Sequence, residues 1–430
     1  MKSDDLKETD ILFIDNLKGP CYRIISPLLN EIKSKKNGLT AKMLHLESIN
    51  KRDHVPENER RNNLDIYDIS YFDKSLDIRS IISNFSPKII MTFNQTRLFD
   101  RALINVANDL EIKIIYLQHG KISFRENKSP NQFKIKSLKN KARRYFWYFL
   151  PSYFYSMLKV RPNRLLEPDL YKFIVGSLFR NYAFVPPKPT SEVRADLALV
   201  YGSFYKERIV ELHGYEDENV KVVGNLDLDE LVDIQEENSS EWNNISKNGV
   251  FTNSRKTLTY LTQPIVQGGH LEKIEYKNWV KNLCDRSEDI GFNLILKLHP
   301  RENASLYKDV IENYDNVFLF NESLFKVVFL SDFILSHYTT AIDLAVALFK
   351  PIIIFDITDD RDKIESLYFH DIAPVASVQS EVFSLLEDLS SEEFDVNRES
   401  YKSWLDKFSY FDPEEKAVKR VANIILEELN

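Results

Sequence analysis

The stretch 293–356 alternates short apolar runs with polar turns, and it constrains the fold more than any other part of the chain. Three runs rich in Ile, Val and Phe have the length of buried strands, at 294–298, 332–335 and 351–355. Residues 339–349, between the last two runs, have apolar side chains at helical spacing. This order predicts a βαβ unit of a parallel sheet, whose ligands bind at the carboxyl ends of the strands.

The same alternation of strand and helix patterns occurs in the N-terminal half, on the other side of one polar segment. That segment, 233–256, has no apolar periodicity and is typical of a linker. A chain of 430 residues can form two cores of ordinary size. We therefore predict an α/β protein with two Rossmann-like, doubly wound domains, 1–232 and 257–430, that face a central cleft.

Composition restricts the classes of function. The net charge of −8 argues against a general nucleic-acid binder, which needs a basic face. Two cysteines without a CxxC pair predict no disulfide framework and no zinc site. The polar, acidic N-terminus does not resemble a secretory signal, and no apolar run approaches the ~20 residues of a membrane span. These features predict a cytoplasmic protein.

The segment 128–166 differs from the rest of the N-terminal half. It contains ten Lys and Arg, no acidic residue and a dense group of aromatic residues. One interpretation is a helical insertion whose aromatic side chains pack on the domain. The other is a peripheral anchor on the inner face of the cell membrane, because aromatic and basic side chains suit the headgroup region. A surface for single-stranded nucleic acid fits the composition less well, because the basic charge is confined to this segment.

A cluster of hydrogen-bonding side chains follows the predicted strand 332–335. It comprises Ser336, His337, Thr339 and Thr340. If Thr339 and Thr340 start the next helix, unpaired backbone N–H groups and hydroxyls together form a site for a phosphate. Simple helix capping is the alternative interpretation. Asp343, one turn into the predicted helix, is a candidate for binding a ribose.

A histidine follows the predicted strand 294–298. His299 precedes Pro300, which holds its backbone extended. Its position predicts a group that donates a hydrogen bond or a proton to a leaving phosphate, and Arg301 is a candidate for additional charge stabilisation. With few glycines and no convincing metal motif, these side chains would neutralise the charge of the phosphate, and we expect no metal and no cofactor.

The corresponding turn of the N-terminal half is Gln118-His119-Gly120, directly after the apolar run 113–117. Across the predicted cleft, His119 would act as the base that takes a proton from an acceptor hydroxyl. Gln118 and Gly120 would lie on the acceptor side with it. Asp15, at the end of the first apolar run, is a weaker alternative for the base.

These motifs resemble those of a known group of enzymes. KLHPRE (297–302) together with SHYTTAIDLA (336–345) resembles the HP and Ser/Thr motifs of bacterial sialyltransferases and polysialyltransferases, which have the GT-B fold and use CMP-activated sugars. The resemblance implies that His299, Ser336, Thr339 and Thr340 bind the donor phosphate. VVGNLDLDEL (222–231) resembles the interdomain element of GT-B transferases and UDP-sugar epimerases.

The turn at His119 departs from that pattern. The sialyltransferases carry an acidic motif near this place, whereas a His-Gly pair is more similar to the CDP-glycerol and CDP-ribitol phosphotransferases of teichoic-acid and capsule synthesis. Those relatives share the HP and serine features and are peripheral membrane proteins. Both resemblances imply a cytidine nucleotide.

The sequence thus predicts a metal-independent, inverting GT-B glycosyltransferase of bacterial surface polysaccharide synthesis, acting on capsule, O-antigen or lipooligosaccharide. Its donor would be a CMP-linked sugar such as sialic acid or Kdo, and its acceptor a glycan or lipid-linked hydroxyl. The alternatives are a CDP-polyol phosphotransferase, a UDP-sugar epimerase and an inactive GT-B-like scaffold subunit. No nucleic acid is expected as a partner.

Overall fold

The computed structural model describes residues 9–15, 21–47, 65–70, 78–95, 98–122, 194–236, 255–267, 270–299, 302–320, 323–358, 368–391 and 396–430. The chain divides into two compact units, one formed by Met1–Asp229 with Glu414–Asn430 and the other by Glu230–Pro413. The C-terminal helix thus belongs to the first unit, which differs from the predicted second domain, 257–430. The basic segment 128–166 and most of the predicted linker lie outside the described residues.

The first unit contains a seven-stranded parallel sheet with the order β3-β2-β1-β4-β5-β6-β7. Its strands are β1 (Thr9–Asp15), β2 (Ala41–Glu47), β3 (Asp65–Ser70), β4 (Pro87–Thr92), β5 (Lys113–Leu117), β6 (Leu197–Val200) and β7 (Val220–Val222). Nearly every described side chain of β4, β5 and β6 is buried, as expected for parallel strands covered on both faces.

The described residues of this unit include six α-helices. They are α1 (Ser26–Lys35), α2 (Ile78–Phe85), α3 (Leu98–Asp109), α4 (Ser203–His213), α5 (Asp229–Glu236), which continues into the second unit, and α12 (Ala417–Glu428). The terminal helix α12 packs on α1, and its buried residues Val418, Val421, Ala422 and Ile425 recur at helical spacing. This apolar stripe explains why the end of the chain joins the first unit.

The second unit contains a six-stranded parallel sheet with the order β10-β9-β8-β11-β12-β13. Its strands are β8 (Thr257–Leu261), β9 (Asn293–Lys297), β10 (Val317–Phe320), β11 (Phe333–Ser336), β12 (Ile352–Phe355) and β13 (Val375–Ala376). Its helices are α6 (Lys273–Ile290), α7 (Lys308–Ile311), α8 (Leu324–Leu330), α9 (Ile342–Ala347), α10 (Gln379–Ser391) and α11 (Arg398–Phe408).

Local chemistry fixes the ends of the longest helix, α6. Glu272 and Glu275 form a reciprocal capping box at its start, and Gly291 ends it in the left-handed conformation with φ of 82°. Trp279 is fully buried where this helix packs on the sheet. The prediction of two parallel, doubly wound sheets is confirmed.

Candidate functional site

Both sheets reverse their strand order at one point, and ligands of doubly wound folds bind outside the carboxyl ends of the strands at such a switch point. In the second unit the switch lies between β8 and β11. Thr262 follows β8, His299 follows the neighbouring strand β9, and Ser336 ends β11. The fold thus brings the predicted His299 and Ser336 to one edge of the sheet, together with Thr262.

The turn that carries His299 is held by side chains. The backbone N–H of His299 lies 3.1 Å from Oγ1 of Thr262 and 3.2 Å from a carboxylate oxygen of Glu302. Glu302 in turn donates its backbone N–H to the carbonyl of His299 at 2.8 Å and accepts the hydroxyl of Thr262. The ring of His299 is half-buried. Its backbone is therefore fixed while part of its surface meets solvent.

The predicted phosphate-binding turn begins with a buried hydroxyl. Ser336 is 0% exposed, and its Oγ has no hydrogen-bond partner among the residues that the structure describes. Thr339 is half-buried and accepts the N–H of Ala341 at 3.3 Å through Oγ1, while Thr340 is exposed. The helix begins only at Ile342, so both threonines belong to the turn before it rather than to its first residues.

Two predicted donor-binding side chains are occupied by the protein itself. His337 is 3% exposed, with Nε2 at 2.7 Å from the hydroxyl of Tyr260 and Nδ1 at 2.7 Å from the carbonyl of Phe355. Asp343 is 1% exposed and accepts the hydroxyl of Ser409. Both side chains take part in internal hydrogen bonds, and their predicted donor-binding roles stay predictions.

In the first unit, Gln118 organises the turn that carries His119. Its fully buried side chain accepts the N–H of Tyr201 at 2.9 Å and donates to the carbonyl of Gly120 at 2.9 Å. Gly120 has φ of 71°, a conformation that glycine adopts readily. Gln118 thus shapes the turn through internal bonds, and its place on the acceptor side stays a prediction.

His119 is half-buried, and its ring makes an edge contact with Phe93 at 6.5 Å between centroids. Burial, together with a smaller contribution from the positive charge of Arg23, lowers the pKa of His119 to about 4. Its imidazole is therefore neutral near pH 7 and has a lone pair that can accept a proton. This is the protonation state that a general base requires.

Two predicted site residues, Arg301 and Asp15, are wholly or partly outside the described part of the chain. Arg301 lies outside the described residues, and so does the side chain of Asp15, whose backbone ends β1. Within the described ranges no three His, Cys, Asp or Glu side chains gather as a metal site, and no helix is both long and apolar enough to cross a bilayer.

Thr262, Glu302 and Tyr201 contribute to the two turns but were not predicted from the sequence. Glu302 stands three residues after His299 in the KLHPRE motif, and this spacing was the available signal. Thr262 and Tyr201 each follow an apolar run directly, but their partners are 37 and 83 residues away in the chain. Such contacts depend on the strand order, which the sequence pattern does not specify.

Comparison with solved structures supports the architecture. A structure of the wall teichoic acid polymerase TagF soaked with CDPG has a TM-score of 0.53 and 14% identity, covering 100% of this chain and 90% of TagF. A putative UDP-N-acetylglucosamine 2-epimerase from Listeria monocytogenes gives 0.55 and 13%, with 99% and 97% covered.

The UDP-GlcNAc 2-epimerase of Methanocaldococcus jannaschii, in complex with UDP-GlcNAc and UDP, gives a TM-score of 0.55 at 12% identity, with 98% of this chain and 100% of the epimerase covered. Neither a protein-family model nor a curated protein sequence matches this chain. At these identities the likeness concerns the fold, and the chain has the GT-B fold that these structures share.

Proposed function

We propose that this protein is a transferase that moves a group from a cytidine nucleotide to a hydroxyl of a growing bacterial surface polymer. The observation that carries the proposal is the buried Ser336 hydroxyl, which has no partner among the described residues and lies at the switch-point edge of the sheet. A phosphate oxygen of a donor nucleotide would accept that hydrogen bond.

On the donor side, His299 stabilises the leaving nucleotide phosphate. Thr262 and Glu302 hold the backbone of His299 in place. The side chain of this half-buried residue therefore starts from a fixed point of the backbone. A hydrogen bond or proton from His299, with the hydroxyls of Ser336, Thr339 and Thr340, offsets the charge that develops on the phosphate. Arg301 remains a proposed contributor of positive charge.

On the acceptor side, His119 acts as the general base. The neutral imidazole accepts the proton of the acceptor hydroxyl as the oxygen attacks the donor, and the bond between the transferred group and the nucleotide breaks. A single displacement of this kind inverts the anomeric carbon when the transferred group is a sugar. His119 and His299 lie in different compact units, so each role is proposed from its own surroundings.

The identity of the donor separates two versions of this proposal. The likeness to TagF, a polymerase solved after soaking with CDPG, and the His119-Gly120 turn both favour a CDP-linked polyol phosphate. A CMP-linked sugar such as sialic acid or Kdo is the other version, and the structural neighbours named above give sialyltransferase-like specificity no support. The acceptor is a glycan or lipid-linked polymer in either version.

A second candidate function is epimerisation of a UDP-sugar. The two epimerase structures match nearly the whole of this chain with TM-scores of 0.55. An epimerase would act on the nucleotide sugar alone, without an acceptor. Nucleotide preference therefore distinguishes it from the transferase.

The test is calorimetric titration of the full-length protein with CMP, CDP, UDP and GDP. We expect a cytidine nucleotide to bind and His299→Ala to weaken it about tenfold, which corresponds to about 1.4 kcal/mol. His270→Ala is the matched control, because His270 is exposed and belongs to the same unit.

The order of nucleotide affinities decides between the versions. A higher affinity for CDP than for CMP supports the polyol donor, and a higher affinity for CMP than for CDP supports the sugar donor. Preference for UDP would transfer support to the epimerase, and no binding would contradict both.

A further inference from the structure

A continuous chain of polar side chains runs from Glu302 to His337 in the second unit. Its four links are Glu302 to Tyr307 at 2.6 Å, Tyr307 to Tyr276 at 3.2 Å, Tyr276 to Tyr260 at 3.1 Å and Tyr260 to His337 at 2.7 Å. The three tyrosines and His337 are at most 3% exposed. The chain therefore joins the turn of His299 to the turn of Ser336 without access to solvent along its middle.

The number of protons in this chain depends on its two ends. His337 Nδ1 faces the carbonyl of Phe355, which can only accept, so in the neutral ring Nε2 carries no proton and accepts from Tyr260. If Glu302 is ionised, the three tyrosine hydroxyls are the only donors for four links. Tyr307 shows the shortage directly, because its single proton faces both Glu302 and Tyr276.

One additional proton removes the shortage. Placed on the Glu302 oxygen that faces Tyr307, it lets each hydroxyl donate once in the direction of His337. The other carboxyl oxygen of Glu302 still accepts from Thr262 and from the backbone of His299. Trp279, which is not one of the linked side chains, also donates a hydrogen bond to Tyr260. This bond has its own proton and does not change the number of protons that the four links need.

The surroundings favour Glu302 over His337 as the site of the additional proton. Burial raises the pKa of Glu302, whereas burial lowers the pKa of His337 to about 4. Among the described residues, three tyrosines interact electrostatically with Glu302, namely Tyr260 from β8, Tyr276 from α6 and Tyr307 from the segment after β9. All three are phenols that are neutral near pH 7.

We propose that Glu302 is a positioning residue that holds one shared proton, and that the completed chain fixes the His299 turn and the Ser336–His337 turn to each other. The part of this inference that concerns nucleotide binding rests on the function proposed above, whereas the part that concerns the proton does not. Glu302 acts through the backbone of His299 and requires no contact with a substrate.

The decisive experiment follows the side-chain carboxyl ¹³C resonance of Glu302 against pH in the full-length protein, with the resonance assigned by its loss in Glu302→Gln. In the wild type we expect a pKa above the ordinary value of ~4.3. Tyr276→Phe removes one proton and two links, and the two remaining hydroxyls then satisfy the two remaining links with Glu302 ionised. The pKa of Glu302 should therefore fall.

The direction of that change separates proton sharing from simple burial. Removing a neighbouring hydroxyl from a buried carboxyl would by itself leave its pKa unchanged or raise it. Tyr260→Phe also leaves two hydroxyls for two links, so it should lower the pKa of Glu302 as well. This variant replaces Tyr276→Phe in the experiment if Tyr276→Phe does not fold. Tyr401→Phe is the control, because Tyr401 is a buried tyrosine of the same unit. Its hydroxyl donates to the carbonyl of Lys350, which is not part of the series from Glu302 to His337.

An ordinary pKa for Glu302 in the wild type, or an unchanged or raised pKa of Glu302 in both tyrosine variants, would overturn the inference. Nucleotide titration adds a second test. Glu302→Gln imitates the protonated acid by donating to Tyr307, so cytidine nucleotide affinity should stay within about twofold, while Glu302→Ala should weaken it about tenfold. Equal weakening in both variants would show that the carboxylate is needed and contradict the proposal. If the wild type binds no nucleotide, the proposed function fails and the carboxyl titration still decides this inference.

Discussion

The side chain of Gln118 accepts the backbone N–H of Tyr201 at 2.9 Å, which joins the residues that follow β5 and β6. The same amide donates to the carbonyl of Gly120, and the hydroxyl of Tyr201 accepts the N–H of Gly120 at 3.3 Å. Three hydrogen bonds thus determine the path of the chain on both sides of His119. The orientation of the proposed base depends on this turn and on the left-handed conformation of Gly120.

We predict that Gly120→Ala reduces transfer to an acceptor strongly while leaving nucleotide affinity unchanged. Apart from its two chain neighbours, no described residue has an atom within 4 Å of the position of a Cβ added at Gly120, so we expect the substitution to act through the backbone. An alanine at φ of 71° has a conformational strain of about 1 kcal/mol. A change in the conformation of the turn would relieve this strain and move His119. The measurements are the transfer rate with a CDP-linked donor and the free energy of unfolding in urea.

Gly38→Ala is the matched control for this prediction. Gly38 has φ of 78°, an equally open Cβ position and a place in the same unit, far along the chain from His119. It should lower the unfolding free energy by a similar amount and leave transfer intact. Equal losses of transfer in Gly38→Ala and Gly120→Ala would show that stability, and not the orientation of His119, is responsible.

Protonation of His119 provides a second prediction. In a titration followed by NMR, its imidazole should have a pKa of about 4, and the transfer rate should fall as the pH drops through the same range. Arg23→Gln removes the positive charge that lowers this pKa and should raise it towards 6.5. An unchanged pKa in Arg23→Gln would contradict the electrostatic contribution and leave burial as the whole cause.

The parallel α/β architecture was predictable because buried strands are short apolar runs with polar ends. The run 113–117 coincides with β5 (Lys113–Leu117), and the run 351–355 contains β12 (Ile352–Phe355). Helix α11 (Arg398–Phe408) was missed because its apolar residues are diluted by charged ones. Its place in the fold is a tertiary effect, because α11 packs against α9.

The candidate site was only partly predictable, because the same polar residue type serves as ligand or as internal partner. Ser336 and His337 are adjacent in the sequence, yet the hydroxyl of Ser336 has no partner in the described part of the chain while both nitrogens of His337 are occupied. The difference follows from Tyr260, whose hydroxyl reaches His337 from the neighbouring strand β8. No local pattern in the sequence contains that contact.

Burial of His337 predicts that the second unit loses stability in acid. Its folded pKa of about 4 lies below the ordinary 6.5, so the unfolded chain binds the proton more tightly between these values. The contribution is complete above pH 6.5 and declines as the pH falls towards 4, by about 3 kcal/mol in total. Urea unfolding at several pH values measures it, and His337→Asn, which does not titrate, should show a smaller decline. An identical decline in both proteins would contradict this assignment.

The last helix provides a prediction for the first unit. The carboxylate of Asp229 accepts the N–H groups of Ala417 at 2.7 Å and Val418 at 2.8 Å, and so caps α12 from a distant part of the chain. Asp229→Ala should lower the unfolding free energy by about 1–2 kcal/mol. Burial raises the pKa of Asp229 to about 6, so its contribution is complete below the ordinary 3.8 and declines as the pH rises through 6.

The loss caused by Asp229→Ala should therefore be larger at about pH 5 than at about pH 8, which is the reverse of the trend expected for His337. Asp217→Ala is the control, because the Asp217 side chain is 75% exposed in its ion pair with Lys206 and such surface pairs contribute little. A loss from Asp229→Ala no greater than that from Asp217→Ala would show that Asp229 does not stabilise α12 as a cap. A loss that grew with pH would contradict the raised pKa of Asp229.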